Sequence, residues 1–360
     1  MSKDILITGF PGFIASKLLP KIMKDRKDSV AYLLVQDKFY QKAQTEINIL
    51  ENNFEFLKGR LKIIRGDLRF NNLGINNKAL DFNLITEIFN LAAVYDLRVN
   101  KDLAYDVNVR GTQNILAFAK NCRQLEKFHH VSTCYVAGWY TGIFTEDDFD
   151  MGQTFKNFYD ETKFISEKYI RDSKDFIPYI IYRPSVVIGD SENGETNKFD
   201  GPYPVIFLLS KMPCYTFMTQ IGSGNCPVNL IHVDYVVEAI RILSKHSSVL
   251  STYHLSDPEP LTQLQLIQLF AQVLNKKIIT VKVSYSFMRT IMKSSIVQDL
   301  SGLYPEMIDY FDHNLILKCD KTLEFLKPYN LKPKRLNEYI HNIIKFAQDN
   351  ESVISKSGLW

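Results

Sequence analysis

The stretch Ile5-Leu6-Ile7-Thr8-Gly9-Phe10-Pro11-Gly12-Phe13-Ile14-Ala15 (residues 5–15) decides the fold. Its three leading apolar residues read as a buried strand, and apolar positions at helical spacing over 13–23 read as a helix. Between them, one glycine lets the chain turn sharply off the strand and the other lets the backbone approach a pyrophosphate closely. The small Ala15 lets the helix pack on the sheet. The start of that helix faces a phosphate with unpaired N–H groups and a partial positive charge. A Gly-x-x-Gly is weak alone. Here it follows a strand, opens a helix and begins a strand-helix-strand unit, which favours a dinucleotide fingerprint over an ordinary tight turn. Thr8, Gly9, Phe10, Pro11, Gly12, Phe13 and Ile14 are therefore the candidate phosphate contacts.

Outward from this loop the pattern repeats. Short apolar runs predict strands over 30–35, 61–64, 85–91, 128–132 and 178–182, and helical spacing predicts helices over 38–56, 103–120 and 158–171. Wholly apolar strands alternating with helices predict a Rossmann-type, doubly wound parallel sheet covered on both faces, an α/β fold. Residues 189–204 are polar and rich in turn formers and read as a loop. Beyond them come short strands near 228–231 and 252–255 and helices over 235–244, 262–274 and 336–348. The expected division is a dinucleotide-binding domain over 1–185 and a smaller mixed substrate-binding lobe over 186–360, interleaved with the core sheet near 225–257.

Composition narrows the function classes. Of 360 residues, 46% are hydrophobic and 23% charged, ordinary for a soluble globular protein, and the net charge is only +3. Lysines and arginines are scattered, so a nucleic-acid partner is not expected. Five cysteines without a CxxC pair read as reduced thiols, with neither a disulfide framework nor a metal site. No secretory signal precedes the first strand and no apolar run reaches the ~18 residues of a membrane span, so a cytoplasmic location is expected. The greasiest irregular segment, 205–209 with 212–218, reads as substrate-pocket lining or core, and leaves room for peripheral membrane contact.

The second strand ends Leu34-Val35-Gln36-Asp37-Lys38. An acidic residue there binds a ribose 2′-hydroxyl and a basic one accommodates a 2′-phosphate. Gln36 holds the selecting position, Asp37 argues for NAD and Lys38 for NADP, and the balance leans to NADP. Asp67 follows the third strand, where it can meet the adenine or simply shape the Gly66-Asp67 turn.

Tyr159-Asp160-Glu161-Thr162-Lys163 puts a tyrosine and a lysine on one face of a helix. A phenol of pKa about 10 exchanges protons poorly near neutrality. A neighbouring ammonium stabilises the phenolate and brings it towards working pH. The strand ending Val131-Ser132-Thr133 delivers a hydroxyl to hold a substrate oxygen. His129-His130 face opposite ways on a strand and read as structural rather than as ligands. His232 and Asp234 read as a strand-to-helix junction.

These segments together resemble an extended short-chain dehydrogenase/reductase, of the NAD-dependent epimerase/dehydratase superfamily, closest to the fatty acyl-CoA reductase and thioester reductase branch. The resemblance rests on ITGFPGFIASKLL at 7–19, RGDL at 65–68, FNLAAVYDL at 89–97, NVRGTQNIL at 108–116, HHVSTCYVAG at 129–138, YDETKFISEKYIR at 159–171 and NLIHVDYVVEAI at 229–240. It covers roughly the first 260 residues. It implies Thr133 as the catalytic hydroxyl, with Ser132 on the other face of the strand. It implies Tyr159 as general acid/base, Lys163 as the residue that binds the nicotinamide ribose and tunes Tyr159, and Asn108 as organiser of an active-site water or backbone. It places Leu68, Leu91, Ala92, Ala93, Pro184 and Val187 against the cofactor. Gln36 stands where this branch often carries arginine.

The expected activity is hydride transfer between NAD(P) and a carbonyl, with reduction of a fatty acyl thioester to aldehyde or alcohol in the lead. A reductase of a sterol-like or β-hydroxy ketone would use the same residues. A sugar-nucleotide epimerase or dehydratase would retain its cofactor, and a non-catalytic NAD(P) sensor would keep the fold alone. A homodimer would be usual for the resemblance.

Overall fold

The computed structural model describes residues 3–75, 80–301 and 303–350; residues 351–360, the end of the expected second lobe, lie outside that description. β1 (Asp4–Thr8) is buried along its whole length, as a strand must be when helices cover both faces of its sheet. α1 (Phe13–Asp25), β2 (Ala31–Val35), α2 (Tyr40–Asn53), β3 (Leu61–Arg65) and β4 (Ile85–Asn90) follow. α3 (Lys101–Ala104) passes through a π-helical turn over Tyr105–Arg110 into α4 (Gly111–Asn121), before β5 (Lys127–Val131) and β6 (Gly142–Phe144). α5 (Phe158–Asp172), β7 (Tyr179–Pro184) and β8 (Val186–Ile188) come next. The remainder runs α6 (Tyr203–Lys211), β9 (Tyr215–Ile221), β10 (Leu230–His232), α7 (Val233–His246), β11 (Ser251–Leu255), α8 (Gln263–Val273) and β12 (Lys277–Val283). Three short helices, α9 (Tyr285–Ile291), α10 (Ser295–Ser301) and α11 (Pro305–Phe311), precede β13 (Leu315–Leu317), α12 (Asp320–Leu326) and α13 (Leu336–Asp349).

Seven strands form one sheet in the order β11-β7-β5-β4-β1-β2-β3. β1 pairs in parallel with β2 on one side and β4 on the other. The strand order therefore reverses between β1 and β4. In an open α/β sheet the crevice outside the carboxyl ends at such a switch point is where ligands bind. Thr8 and Asn90, the last residues of β1 and β4, stand opposite each other there.

The chain divides into two compact units. The first holds the chain up to Gly138, Asn157–Pro184 and Val237–Tyr253; the second holds Trp139–Lys156, Ser185–Val236 and the chain from His254 onward. In the first unit, Leu6, Ile88 and Phe128 of the sheet bury with Ile115 and Phe118 of α4 and Ile170 of α5. Each such side chain contributes about 1.5–3 kcal/mol relative to exposure. In the second unit, α13 presents Leu336, Ile340, Ile343 and Ile344 to a core shared with Ile206 and Phe207 of α6 and Phe270 of α8. Three parallel strand pairs, β8 with β10, β9 with β12 and β6 with β13, complete that unit.

Three elements depart from the sequence pattern. The helix expected over 38–56 is shorter, because 3-10 turns over Asp37–Phe39 and Glu55–Leu57 flank α2. The helix expected over 103–120 is broken by the π-helical turn. The segment 205–218 is regular: its first part lies in α6, buried in the core of the second unit, and its last part lies in β9. The apolar run reads as irregular because Pro213 separates the helix from the strand.

Candidate active site

The chain leaves β1 through Gly9, whose φ of +85° only glycine adopts without strain. A Cβ at residue 9 would lie 2.8 Å from the Ala92 nitrogen and the Leu91 carbonyl carbon, so β1 and β4 exit in direct backbone contact. Thr8 fastens the same place. Its hydroxyl donates to Asn90 Oδ1 at 2.8 Å and accepts from the Ala92 N–H at 3.1 Å. Phe10 and Pro11 are buried beneath the loop, and the Gly12 N–H closes it on the Gly9 carbonyl at 2.7 Å. α1 then starts with no side-chain cap and no acidic residue in its first turn, which leaves its positive end uncompensated and suited to an anion. Phe13 and Ile14, half-buried, form that first turn. These residues fit a dinucleotide pyrophosphate. Leu91 and Ala92 are half-buried and Ala93 is exposed just beyond β4.

Beside the ends of β2 and β3 the charges are mixed. The Gln36 amide hydrogen-bonds the Asp67 carboxylate, and Arg69 pairs with Asp67 at 2.7 Å. Burial opposes ionisation of Asp67, but Arg69 and Gln36 outweigh it and hold the carboxyl below its usual range. Asp67 thus shapes its own turn, while Leu68 is buried behind it. Lys38 is exposed over the Phe39 ring, and Arg65, also exposed, lies over the Tyr40 ring at 4.2 Å and 3.5 Å from Asp37.

At the end of β5 the backbone stays extended through Thr133, whose buried hydroxyl accepts from the Tyr135 N–H at 3.2 Å and donates to the Pro184 carbonyl at 3.4 Å. Ser132 points the other way and donates to Glu167 at 2.6 Å, so it is committed to a structural pair. α5 begins at an Asn157 cap that accepts from the Asp160 N–H, and this fixes Tyr159 in the first turn. Tyr159 is buried with Val99 and Ala104, edge-on to the Tyr95 ring at 4.9 Å. One turn on, the buried Lys163 ammonium donates to the Val131 carbonyl at 2.8 Å. Burial pushes Lys163 down to about 8, against the pull of the Glu167 carboxylate. That is where a lysine can gain or lose its proton near working pH.

Asn108 sits in the π-helical turn. Its side chain accepts from the Val94 N–H at 2.9 Å and donates to Thr162 at 3.0 Å, and its carbonyl accepts from Ser166. The extra residue of the π turn aims these groups at both the β4 exit and α5. Pro184 closes β7 in the first unit, whereas Val187 belongs to β8 of the second.

Two further residues join the site without a sequence motif. His130 receives the Asn90 amide at 3.1 Å on Nδ1, and its Nε2 is buried with no hydrogen-bond partner among the described residues. Burial and the Lys163 charge keep it neutral. Glu167, one turn after Lys163, is fully buried between Arg183 at 2.6 Å and Arg171 at 2.8 Å; the i, i+4 spacing from Lys163 was the signal available for it. His129 turns to Glu87 and Tyr182, both at 3.0 Å, so the paired histidines face opposite sides of the strand. His232 and Asp234 are tied to Lys334 and Ser191 in the second unit. A polar concavity of about 740 Å³, lined by Asp81, Asn83, Lys120 and Arg123, opens near the start of β4, at the end of that strand opposite Asn90.

The family model described as "Male sterility protein", an NAD-binding family, matches residues 7–240. Fatty acyl-CoA reductase 1 of Arabidopsis thaliana is 31% identical over 173 residues, covering 42% of this chain and 35% of that protein. Probable fatty acyl-CoA reductase 4 of the same plant is 25% identical over 362 residues, covering 76% of this chain and 71% of that protein. The chain therefore spans from about a third to about seven-tenths of these curated relatives. Among solved structures, the terminal R domain from the myxalamid PKS-NRPS biosynthetic pathway superposes with a TM-score of 0.77 at 23% identity, covering 99% of this chain and 91% of that one. The chain belongs to the Male sterility protein family, an NAD-binding family, and has the extended short-chain dehydrogenase/reductase fold.

Proposed function

We propose that this chain reduces a fatty acyl thioester with NADP as its preferred cofactor, using Tyr159, Lys163 and Thr133. The observation that carries the reading is the buried Lys163, on the helix face of Tyr159 and bonded to the last residue of β5, two residues before Thr133. The similarity to fatty acyl-CoA reductases supports the substrate class. The exposed Lys38 and Arg65 at the ends of β2 and β3 support a 2′-phosphate. Gly9, Gly12 and the start of α1 would hold the pyrophosphate, and a bound nicotinamide supplies a hydride to the carbonyl carbon.

The residues of this chain then manage the oxygen. Thr133 donates a hydrogen bond to it, and Tyr159 gives it a proton as negative charge develops. The Lys163 ammonium stabilises the phenolate left on Tyr159. With a thioester the reduced carbon carries both a hydroxyl and the sulfur. Breaking the carbon–sulfur bond moves the hydroxyl proton to sulfur and releases an aldehyde and a free thiol. The test is a long-chain acyl-CoA with NADPH, following nicotinamide absorbance and free thiol together. Equal consumption and release, or two nicotinamides per thiol where the alcohol forms, is the expected result. Nicotinamide consumed on ketones, with no thiol released from thioesters, would remove the substrate assignment.

A further inference from the structure

β9 and β12 form a two-stranded parallel sheet whose register sets Phe217 beside Ile279 and Thr219 beside Val281. Side chains alternate across such a sheet. The inner face, with Met218 and Ile278, packs into the core around α6 and α8, while Ile221 and Val283, at the far end of the outer face, pack with Met288. The outer face is also apolar. Tyr215 is 72% exposed, Phe217 67% and Ile279 60%, with Val281 exposed beside them. A sheet with one wet face normally turns polar residues outward, and a contiguous apolar patch marks a contact surface.

The charge around the patch says what the contact is. Asp and Glu make up 40 of the 360 residues, yet none occurs in 201–233 or in 260–298, the two runs that contain β9 and β12. Those runs carry Lys211, Lys276, Lys277, Lys282, Arg289 and Lys293. Lys277 lies over the Tyr215 ring at 5.1 Å and donates to its hydroxyl at 3.2 Å, so its charge rests at the rim of the patch. Lys276 is tied to the Ser210 and Met212 carbonyls, and Arg289 pairs with Asp309 of α11, which Tyr285 also contacts. The other acids of α11 and its end are Glu306 and Asp312, the latter receiving the Cys226 thiol.

The geometry points to this face docking on an anionic lipid bilayer. Phe217, Ile279 and Val281 would enter the headgroup boundary with Tyr215 at its edge, and Lys277 would meet lipid phosphates or carboxylates. A second copy of the chain fits less well, because it would bring lysine rims together.

The experiment is sedimentation of the intact chain with phosphatidylcholine vesicles containing or lacking phosphatidylserine. Wild type should sediment with the phosphatidylserine vesicles and release as salt rises. Phe217→Glu/Ile279→Glu should weaken binding by roughly tenfold or more and, separately, Lys277→Glu by roughly fivefold or more, with unchanged thermal midpoints. Turnover of a soluble short-chain substrate should be unaffected, which separates this result from failure of the catalytic reading. Wild type left in the supernatant at low salt, or variants that sediment as well as wild type, would overturn the proposal. So would a wild-type dimer that the Phe217→Glu/Ile279→Glu pair makes monomeric without any vesicle binding, since the face would then be a self-association surface.

Discussion

Lys163 donates its ammonium to the carbonyl of Val131 at 2.8 Å, two residues before Thr133. The bond links the helix that carries Tyr159 to the strand that delivers the hydroxyl. It holds the amine buried, where its protonation is sensitive to pH. Glu167, one turn further along the helix, is clamped by Arg183 and Arg171 and supplies the nearby negative charge.

The pH dependence follows from Lys163. Its charged form stabilises the Tyr159 phenolate, and burial lowers its pKa to about 8. Carbonyl reduction should therefore be flat below that value and fall as pH rises through it. Stability moves the opposite way, because the folded pKa lies below the ordinary lysine value of 10.5: the unfolded chain binds more protons between the two, so this group's contribution favours folding as pH rises there. A rate that falls above pH 8 while the thermal midpoint holds or rises is the expected pair. Lys163→Arg should move the alkaline limb upward.

Glu167→Gln leaves the buried Arg183 guanidinium, and the half-buried Arg171 beside it, short of a counter-charge. Breaking such a pair costs about 3–5 kcal/mol, to be read by denaturant unfolding. The folded Glu167 carboxyl is lowered to about 2: burial opposes this, and Arg183 and Arg171 outweigh it. Its contribution is therefore present above the unfolded value near 4.5 and lost as pH falls towards 2. Wild-type stability should drop across that window more steeply than that of the variant.

Gly9→Ala puts a Cβ 2.8 Å from the Ala92 nitrogen at a φ of +85°. The loop must shift, at about 1–3 kcal/mol of strain. Nicotinamide binding, followed by quenching of protein fluorescence, should weaken by roughly tenfold or more. Unchanged affinity would place the pyrophosphate elsewhere.

Much of this arrangement is legible in the sequence because it is local. The β1 loop, the Thr133 strand end and the Tyr159–Lys163 spacing each depend on neighbours within a few residues. The rest depends on contacts far apart in sequence. A continuous apolar period over 103–120 gives no hint of the π-helical turn that frees Asn108 to reach Val94 and Thr162. The Glu167–Arg183 pair joins a helix to a strand, and either residue alone looks like a solvated charge. The outer face of β9 was hidden by composition, since the same apolar letters serve core and surface.

Lys38→Ala/Arg65→Ala tests cofactor choice. The variant should lose roughly tenfold in NADPH affinity and little in NADH affinity, because only the 2′-phosphate needs the cations. Equal losses for both cofactors would argue that these residues serve the fold.

The most direct measurement is Tyr159→Phe assayed for nicotinamide binding and for acyl-CoA reduction on the same preparation. Removing one hydroxyl should leave binding and the thermal midpoint near wild type and lower turnover by about 100-fold or more. A Tyr159→Phe protein that reduces acyl-CoA at the wild-type rate would contradict the account.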